Sequence, residues 1–267
     1  MDAGRRSPHR YGRAPQKVRT LVSPGTAKTS SHTMKNEQKL HIAIIPDGNR
    51  RWAKTHALHP WDGHKKAIEN FRLLTEWCHD DPRVSVLTIW CFSTENWKRD
   101  KREVDMLMQL LEVHLQKERA LLEKNNTRFV HSGRKDRIPA QLAKLIEDVE
   151  EESKNRTAST LHLAIDYGGK DELLRAMQKM ATSERANERT NNTIAENIFC
   201  SFLDHPELPD IDLIVRTSGE KRTSNFFLWQ SAYSEWSFVE KKFPDFTAED
   251  LANEVDAFMT RSRRFGG

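Results

Sequence analysis

From Leu40 onward, apolar and polar positions alternate between two periods. Short apolar-rich runs at 41–45, Val84 to Phe92, Arg128 to Ser132, Thr160 to Ile165 and Ile211 to Val215 have strand length. The first is unbroken from Ile42 to Ile45 and predicts a strand buried on both faces. Between these runs the spacing becomes helical. Ala67, Ile68, Phe71, Leu74 and Cys78 share a face over 64–79, and Val104, Met108, Leu111, Leu115 and Leu122 share one over 103–124. Leu142, Leu145, Ile146 and Val149 do the same over 139–153. Further helices are expected at 50–56, 170–182, 194–203 and 247–262, loops at 57–63 and 183–192, and two last strands at 226–230 and 237–239. Strands alternating with helices predict an α/β fold: a single domain with a mostly parallel central sheet flanked by helices. Ligands in such sheets gather beyond the carboxyl ends of the strands.

Charge divides the chain in two. Residues 1–39 carry nine Lys and Arg against Asp2 and Glu37, so residues 40–267 carry a net −3 although the whole chain is +4. The first segment is rich in Arg, Ser, Thr, Pro and Gly, and is expected to be a disordered basic tail. It reads as a plain floppy tail, or as residues ahead of a true start at Met34, with an organellar targeting segment as the alternative. A chain lacking residues 1–33 is therefore expected to fold and turn over. The acidic body opposes a nucleic-acid partner. Cys78, Cys91 and Cys200 are scattered and odd in number, which fits a reducing compartment. No run of about 18 apolar residues occurs, so no spanning helix is expected.

The chemistry-bearing residues follow strands. After Ile45, Pro46 ends the ladder, Asp47-Gly48-Asn49 is turn chemistry, and a helix begins near Arg50. A strand, a tight turn and a helix start make an anion site, to which Arg50 and Arg51 add forked donors. A carboxylate in that place calls for a divalent metal between Asp47 and a phosphate. The same stretch also reads, on physics alone, as a surface turn with solvated arginines. A second run, Ser93-Thr94-Glu95-Asn96-Trp97 with Arg99, follows the strand at 84–92. A third, Arg216 to Ser224 with Arg222 and Thr223, offers two guanidiniums and a hydroxyl suited to a second diphosphate. Glu235 lies beyond it in an aromatic setting, and Arg264-Phe265-Gly266 stands near the end of the chain.

Together these motifs resemble the cis-prenyltransferases, the undecaprenyl diphosphate synthase family, over residues 40–267. The resemblance implies a homodimeric catalytic domain with an apolar tunnel, walled by the helix at 103–124, for a growing chain. It implies a Mg²⁺-dependent transferase that condenses isopentenyl diphosphate with an allylic prenyl diphosphate and leaves a cis double bond. Matched residue by residue, Asp47 is the catalytic metal ligand and Glu235 a further one. Gly48, Asn49, Arg50, Arg51 and Arg99 hold the allylic diphosphate. Arg216, Arg222 and Ser224, with Thr223, hold the isopentenyl diphosphate. Trp52, His64, Ser93, Thr94, Glu95 and Trp97 line the substrates. Asn96 occupies the position of proton removal; an amide is too weak a base, so it is expected to orient, with the departing diphosphate as acceptor. Arg264 and Gly266 match an Arg-x-Gly ending that reaches the neighbouring subunit's diphosphate. A cytoplasmic location, with peripheral membrane contact through the lipid product, completes the expectation.

Three positions depart from the family pattern. Arg50 stands where many members have Gly, Pro46 where most have Met, and Pro60 where an arginine normally precedes His64. Pro60 motivates an alternative, irregular head-to-middle coupling of two allylic units. A non-catalytic partner subunit of a heteromeric synthase is the other alternative; the intact Asp47 to Arg51 run and the Arg-x-Gly ending speak against it.

Overall fold

The computed structural model describes residues 39–183 and 195–261. The basic tail, most of the expected 183–192 loop and Arg264 to Gly266 lie outside the described residues.

Six strands form one sheet in which every pairing is parallel: β1 (Leu40–Ile45), β2 (Val84–Ser93), β3 (Thr127–Ser132), β4 (Ser159–Tyr167), β5 (Leu213–Arg216) and β6 (Glu235–Phe238). Their order is β3-β4-β2-β1-β5-β6. The helices are α1 (Asn49–Thr55), α2 (Pro60–Asp80), α3 (Lys101–Lys124), α4 (Ala140–Ser153), α5 (Gly169–Thr182), α6 (Glu196–Cys200) and α7 (Ala248–Thr260). The chain leaves β1 toward β2 on one side and returns to β5 on the other. A crevice therefore opens at the carboxyl ends of these three strands.

The two faces of the sheet are covered differently. Ile42 and Ile44 of β1 face the main core, packed under α2, α3, α4 and α7 through Phe71, Met108, Ile146 and Val255. Ala43 and Ile45 point the other way, toward Tyr167, Phe226 and Phe227. This second face also carries buried polar side chains. His41 Nε2 is 2.6 Å from Thr88 Oγ1, which is 2.9 Å from His162 Nδ1, and His162 Nε2 is 2.8 Å from Ser132 Oγ. The row crosses β1, β2, β4 and β3, and each member meets the partner that a buried polar atom requires.

Three expected elements differ. The loop at 57–63 is shorter, because Pro60 occupies the first turn of α2, where its missing N–H costs nothing. Asp62 closes that turn by accepting from the His59 N–H at 3.1 Å. The expected strand at 226–230 is a series of turns, with positive φ at Ser224, Asn225 and Phe227. Its apolar residues serve as plugs on the second face rather than as ladder positions. The helix expected over 194–203 is confined to Glu196–Cys200.

Candidate active site

The crevice is a basin of about 860 Å³. Its geometry starts from the parallel pairing of β1 with β5, in which Ile45 and Arg216 are partners. The turn after β1 then brings Asp47 over the last residue of β5. Asp47 Oδ2 accepts from Arg216 Nη2 at 2.7 Å, although the two are 169 residues apart. Thr217, fully buried, fixes the turn: its hydroxyl accepts from the Asp47 N–H and donates to the Asp47 carbonyl, both at 2.9 Å. Gly48 has φ +98°, and a Cβ there would stand 2.6 Å from Ser218 Oγ. Only glycine allows this turn to seat against the β5 loop. α1 then opens at Asn49 without a side-chain cap, so amides of its first turn remain available to an anion.

Arg216 is 3% exposed and is fastened on three sides. Besides Asp47, it donates to Ser224 Oγ at 2.8 Å and to the Arg222 carbonyl. Left-handed backbone at Ser224 and Asn225 folds the loop back onto it. Asn225 ties this loop to the second motif, since its amide donates to Glu95 Oε1 at 3.2 Å and accepts from the Lys170 N–H at 2.8 Å. Ser93 and Asn96 cap the short 3₁₀ turn after β2, with the Ser93 N–H donating to Asn96 Oδ1 at 3.1 Å.

Two glutamates hold the remaining cations. Glu103, in the first turn of α3, lies 3.3 Å from Arg99, 3.6 Å from Arg50 and 3.8 Å from His64. Glu220 pairs with Arg51 at 2.8 Å and also with Arg222. Burial, reinforced by Arg99, lowers the His64 imidazolium pKa to about 4, so His64 is neutral at pH 7. Apolar Trp90, Cys91, Phe92 and Leu107 line the basin alongside these polar groups. The Cys91 thiol, pushed up to about 12 by burial, stays protonated.

The fold thus brings Asp47, Gly48, Asn49, Arg50, Arg51, His64, Ser93, Glu95, Asn96, Arg99, Arg216, Arg222 and Ser224 to one basin. Other expected residues stand apart from its lining. Trp52 donates its indole N–H to Asp245 at 2.7 Å and stacks on His56. Trp97 turns inward: its indole donates to buried Asp166 at 2.8 Å and meets Phe92 edge-on. Thr94 packs near Gly168, and Thr223 is exposed. Glu235 pairs in register with Leu213, the first residue of β5, whereas Asp47 lies beyond the last. That offset is about 10 Å along the strand axis before the lateral separation is added. Glu235 instead pairs with Arg261, so within one chain it does not share an ion with Asp47. Asn225, Thr217, Glu103 and Glu220 were not anticipated. Glu103 reads in the sequence as an ordinary acidic helix start, and nothing local marks it as the partner of two arginines and a histidine.

Among the described residues no three His, Cys, Asp or Glu side chains converge as a metal cage. Asp47 presents a carboxylate to the basin beside Arg216, while the Glu220 carboxylate between the two lobes is taken up by Arg51 and Arg222. A single carboxylate, with the rest of the shell supplied by substrate oxygens and water, is a donor set that suits Mg²⁺.

Comparisons with known proteins agree with this geometry. Residues 45–266 match the family described as "Putative undecaprenyl diphosphate synthase". An isoprenyl transferase of Wolinella succinogenes is 44% identical over 232 residues, covering 87% of this chain and 98% of the relative. One from Rhodopirellula baltica is 41% identical over 227 residues, covering 85% and 93%. Lavandulyl diphosphate synthase from Lavandula x intermedia, solved with dimethylallyl diphosphate, superposes with a TM-score of 0.81 at 33% identity, covering 85% of this chain and 98% of that one. A probable undecaprenyl diphosphate synthase from Campylobacter jejuni gives 0.71 at 33% identity, covering 86% and 99%. A parallel sheet with a cation-lined basin at its carboxyl edge, joined to a family match across most of the chain, identifies this protein as a prenyltransferase of the undecaprenyl diphosphate synthase family.

Proposed function

We propose that this enzyme condenses isopentenyl diphosphate with an allylic prenyl diphosphate, using Mg²⁺, to give a cis-polyprenyl diphosphate. The observation that carries the reading is the Asp47–Arg216 pair, which joins two cationic lobes in one basin. One lobe, α1 with Arg50, Arg51, Arg99 and neutral His64, suits the allylic diphosphate; the other, Arg216, Arg222 and Ser224, suits the isopentenyl diphosphate. Two adjacent anion sites hold two reactants in reach of each other, which removes much of the entropic cost of their meeting. Asp47 would hold the magnesium ion, which would offset the charge developing on the leaving diphosphate. The arginines stabilise that same charge through forked hydrogen bonds. Asn96 orients the isopentenyl group, and the departing diphosphate takes the proton. The apolar side of the basin, at Phe92 and Leu107, receives the prenyl chain.

The reading includes a homodimer in which Arg264 and Gly266 reach the neighbouring subunit's diphosphate, a cytoplasmic enzyme, and contact with a membrane surface through the lipid product. No helix among the described residues is long and apolar enough to cross a membrane.

Irregular coupling of two allylic units is the second reading. It is supported by the likeness to lavandulyl diphosphate synthase and by Pro60, where the family arginine is missing. One assay separates the two. Purified protein is given Mg²⁺ and several allylic starters, with and without isopentenyl diphosphate, and products are identified by mass spectrometry. Products that lengthen only with isopentenyl diphosphate support the first reading. Product from dimethylallyl diphosphate alone supports the second.

A further inference from the structure

Three segments at the carboxyl edge of the sheet meet at one side chain, that of Asn225. The loop after β5 supplies Asn225 itself, directly behind Ser224, whose hydroxyl accepts from Arg216 at 2.8 Å. The turn after β2 supplies Glu95, which accepts from Asn225 Nδ2 at 3.2 Å. The start of α5, after β4, supplies the Lys170 N–H, which donates to Asn225 Oδ1 at 2.8 Å, and the Gly169 N–H, which donates to the Asn225 carbonyl at 2.7 Å. α5 has no side-chain cap of its own at Gly168. Asn225 therefore satisfies two of its orphaned first-turn amides from outside the helix.

Backbone and packing together select this residue. Asn225 has φ +69°, a left-handed conformation that Gly, Asn and Asp visit most readily. Glycine would reach neither neighbour. Aspartate would still cap α5 but would set a second carboxylate against Glu95. Asparagine alone of the three carries both the donor and the acceptor. The fit is also close: a Cβ at Gly168 would stand 2.8 Å from Asn225 Nδ2 and 2.7 Å from Thr94 Oγ1. Asn225 lines the basin together with Ser224, Glu95 and Asn96.

Resting on the proposed condensation, we infer that Asn225 is a positioning residue for isopentenyl diphosphate, setting how far the loop that grips its diphosphate stands from the turn that orients its isopentenyl end. Arg216 and Ser224 hold the diphosphate on one side of this amide. On the other side, Glu95 is followed directly by Asn96, which orients the carbon end. One side chain thus spans the holders of both ends of the same molecule. Reacting atoms tolerate little displacement from a near-attack geometry, so losing the amide falls on turnover more than on affinity.

The test uses the full chain with isopentenyl diphosphate, Mg²⁺ and the allylic starter that the wild type accepts. Turnover, both KM values and the melting temperature are read for each variant. Asn225→Asp keeps the shape, the left-handed backbone and the acceptor for Lys170, and removes only the donor to Glu95. It is expected to lower kcat about ten-fold or more, while both KM values stay within about two-fold and the protein remains folded. Asn225→Gly, which keeps the backbone and loses the whole amide, is expected to lose turnover in the same way, and it carries the test if the aspartate variant does not fold. A raised KM for isopentenyl diphosphate at unchanged kcat would make Asn225 an ordinary substrate contact and overturn the inference. Near-native kcat in a folded aspartate or glycine variant overturns it as well. A wild type that makes no product with isopentenyl diphosphate overturns the proposed function itself, and this inference with it; that result is read in the wild type alone.

Discussion

Arg216, buried at the end of β5, forms its only ion pair among the described residues with Asp47, the residue expected to hold the metal. The carboxylate therefore has two duties: to face the substrate and to neutralise a guanidinium that water does not reach.

This pairing sharpens what Asp47→Ala should do. Turnover should fall on the order of 10²-fold or more, as when one strong electrostatic stabiliser is removed, with a smaller effect on KM. From the sequence, loss of a carboxylate near arginines could have been neutral or stabilising. The structure predicts the reverse, because Arg216 is left buried without its counter-charge. Since Asp47 is itself partly exposed, the loss should be about 2 kcal/mol. Steady-state kinetics and urea melts check the two parts. A folded variant with near-native kcat rules out the metal role, and one with unchanged stability contradicts the pairing.

Pro60→Arg should tighten allylic binding. Position 60 is one turn before His64 on α2 and so shares its face. A guanidinium there would restore a charge-assisted contact and lower the allylic KM several-fold. A cation at a helix start costs about 0.3–1 kcal/mol, so the melting temperature should dip slightly. An unchanged KM for every allylic starter would show that another cation already fills the role.

Trp97→Phe should damage stability more than binding. The indole is bonded to Asp166 and packed on Phe92 rather than lining the basin. Losing the hydrogen bond to a buried carboxylate should cost about 1.5–3 kcal/mol, partly relieved because Arg137 also donates to Asp166. The KM values should stay within about two-fold. A large rise in KM with an intact melting temperature would place Trp97 at the substrate after all.

Acid should unfold this protein early. Burial lowers His41, His64, His114 and His131 from 6.5 to about 4, and holds His162 well below its ordinary value. In the unfolded chain these groups take up protons near pH 6.5; in the folded chain they do not. Their contribution is complete above about pH 6.5 and is lost as pH falls toward 4, by up to about 3 kcal/mol per histidine. His205 opposes the trend: despite its burial, hydrogen bonds to Glu207 and to the His131 carbonyl raise its pKa. Thermal melts from pH 7.5 to 4.5 should show a steep fall below 6.5, and a flat profile would contradict it.

Sequence and structure agree where one local rule decides. β1, β2 and β4 are legible because apolar and β-branched residues dominate their runs even though each also buries a polar side chain, His41, Thr88 and His162, and α3 because its stripe runs for about five turns. The segment at 226–230 misleads, since Phe226 and Phe227 look like strand positions until the left-handed residues beside them are seen to serve Arg216. Pro60 carried a usable signal as a helix-opening proline, but the turn residues before it hid the boundary. Within the site, the motifs placed the cations but not the carboxylates that hold them. Glu103 and Glu220 become visible only once distant segments meet, because a single acidic residue has no pattern of its own. Trp97 and Glu235 were assigned by likeness, and their surroundings in this chain send both elsewhere.

The row from His41 through Thr88 and His162 to Ser132 bears on how the sheet finds its alignment. Parallel strands can slip by two residues without turning a side chain over, so a uniformly apolar face discriminates poorly between the correct alignment and that error. A two-residue slip of β2 or β4 would leave several of these buried polar atoms without partners at once, each at a cost of about 1–3 kcal/mol. The row thus works as a key cut across four strands. It accepts one alignment, and in doing so it fixes the level at which Asp47 and Ser93 emerge at the sheet's upper edge.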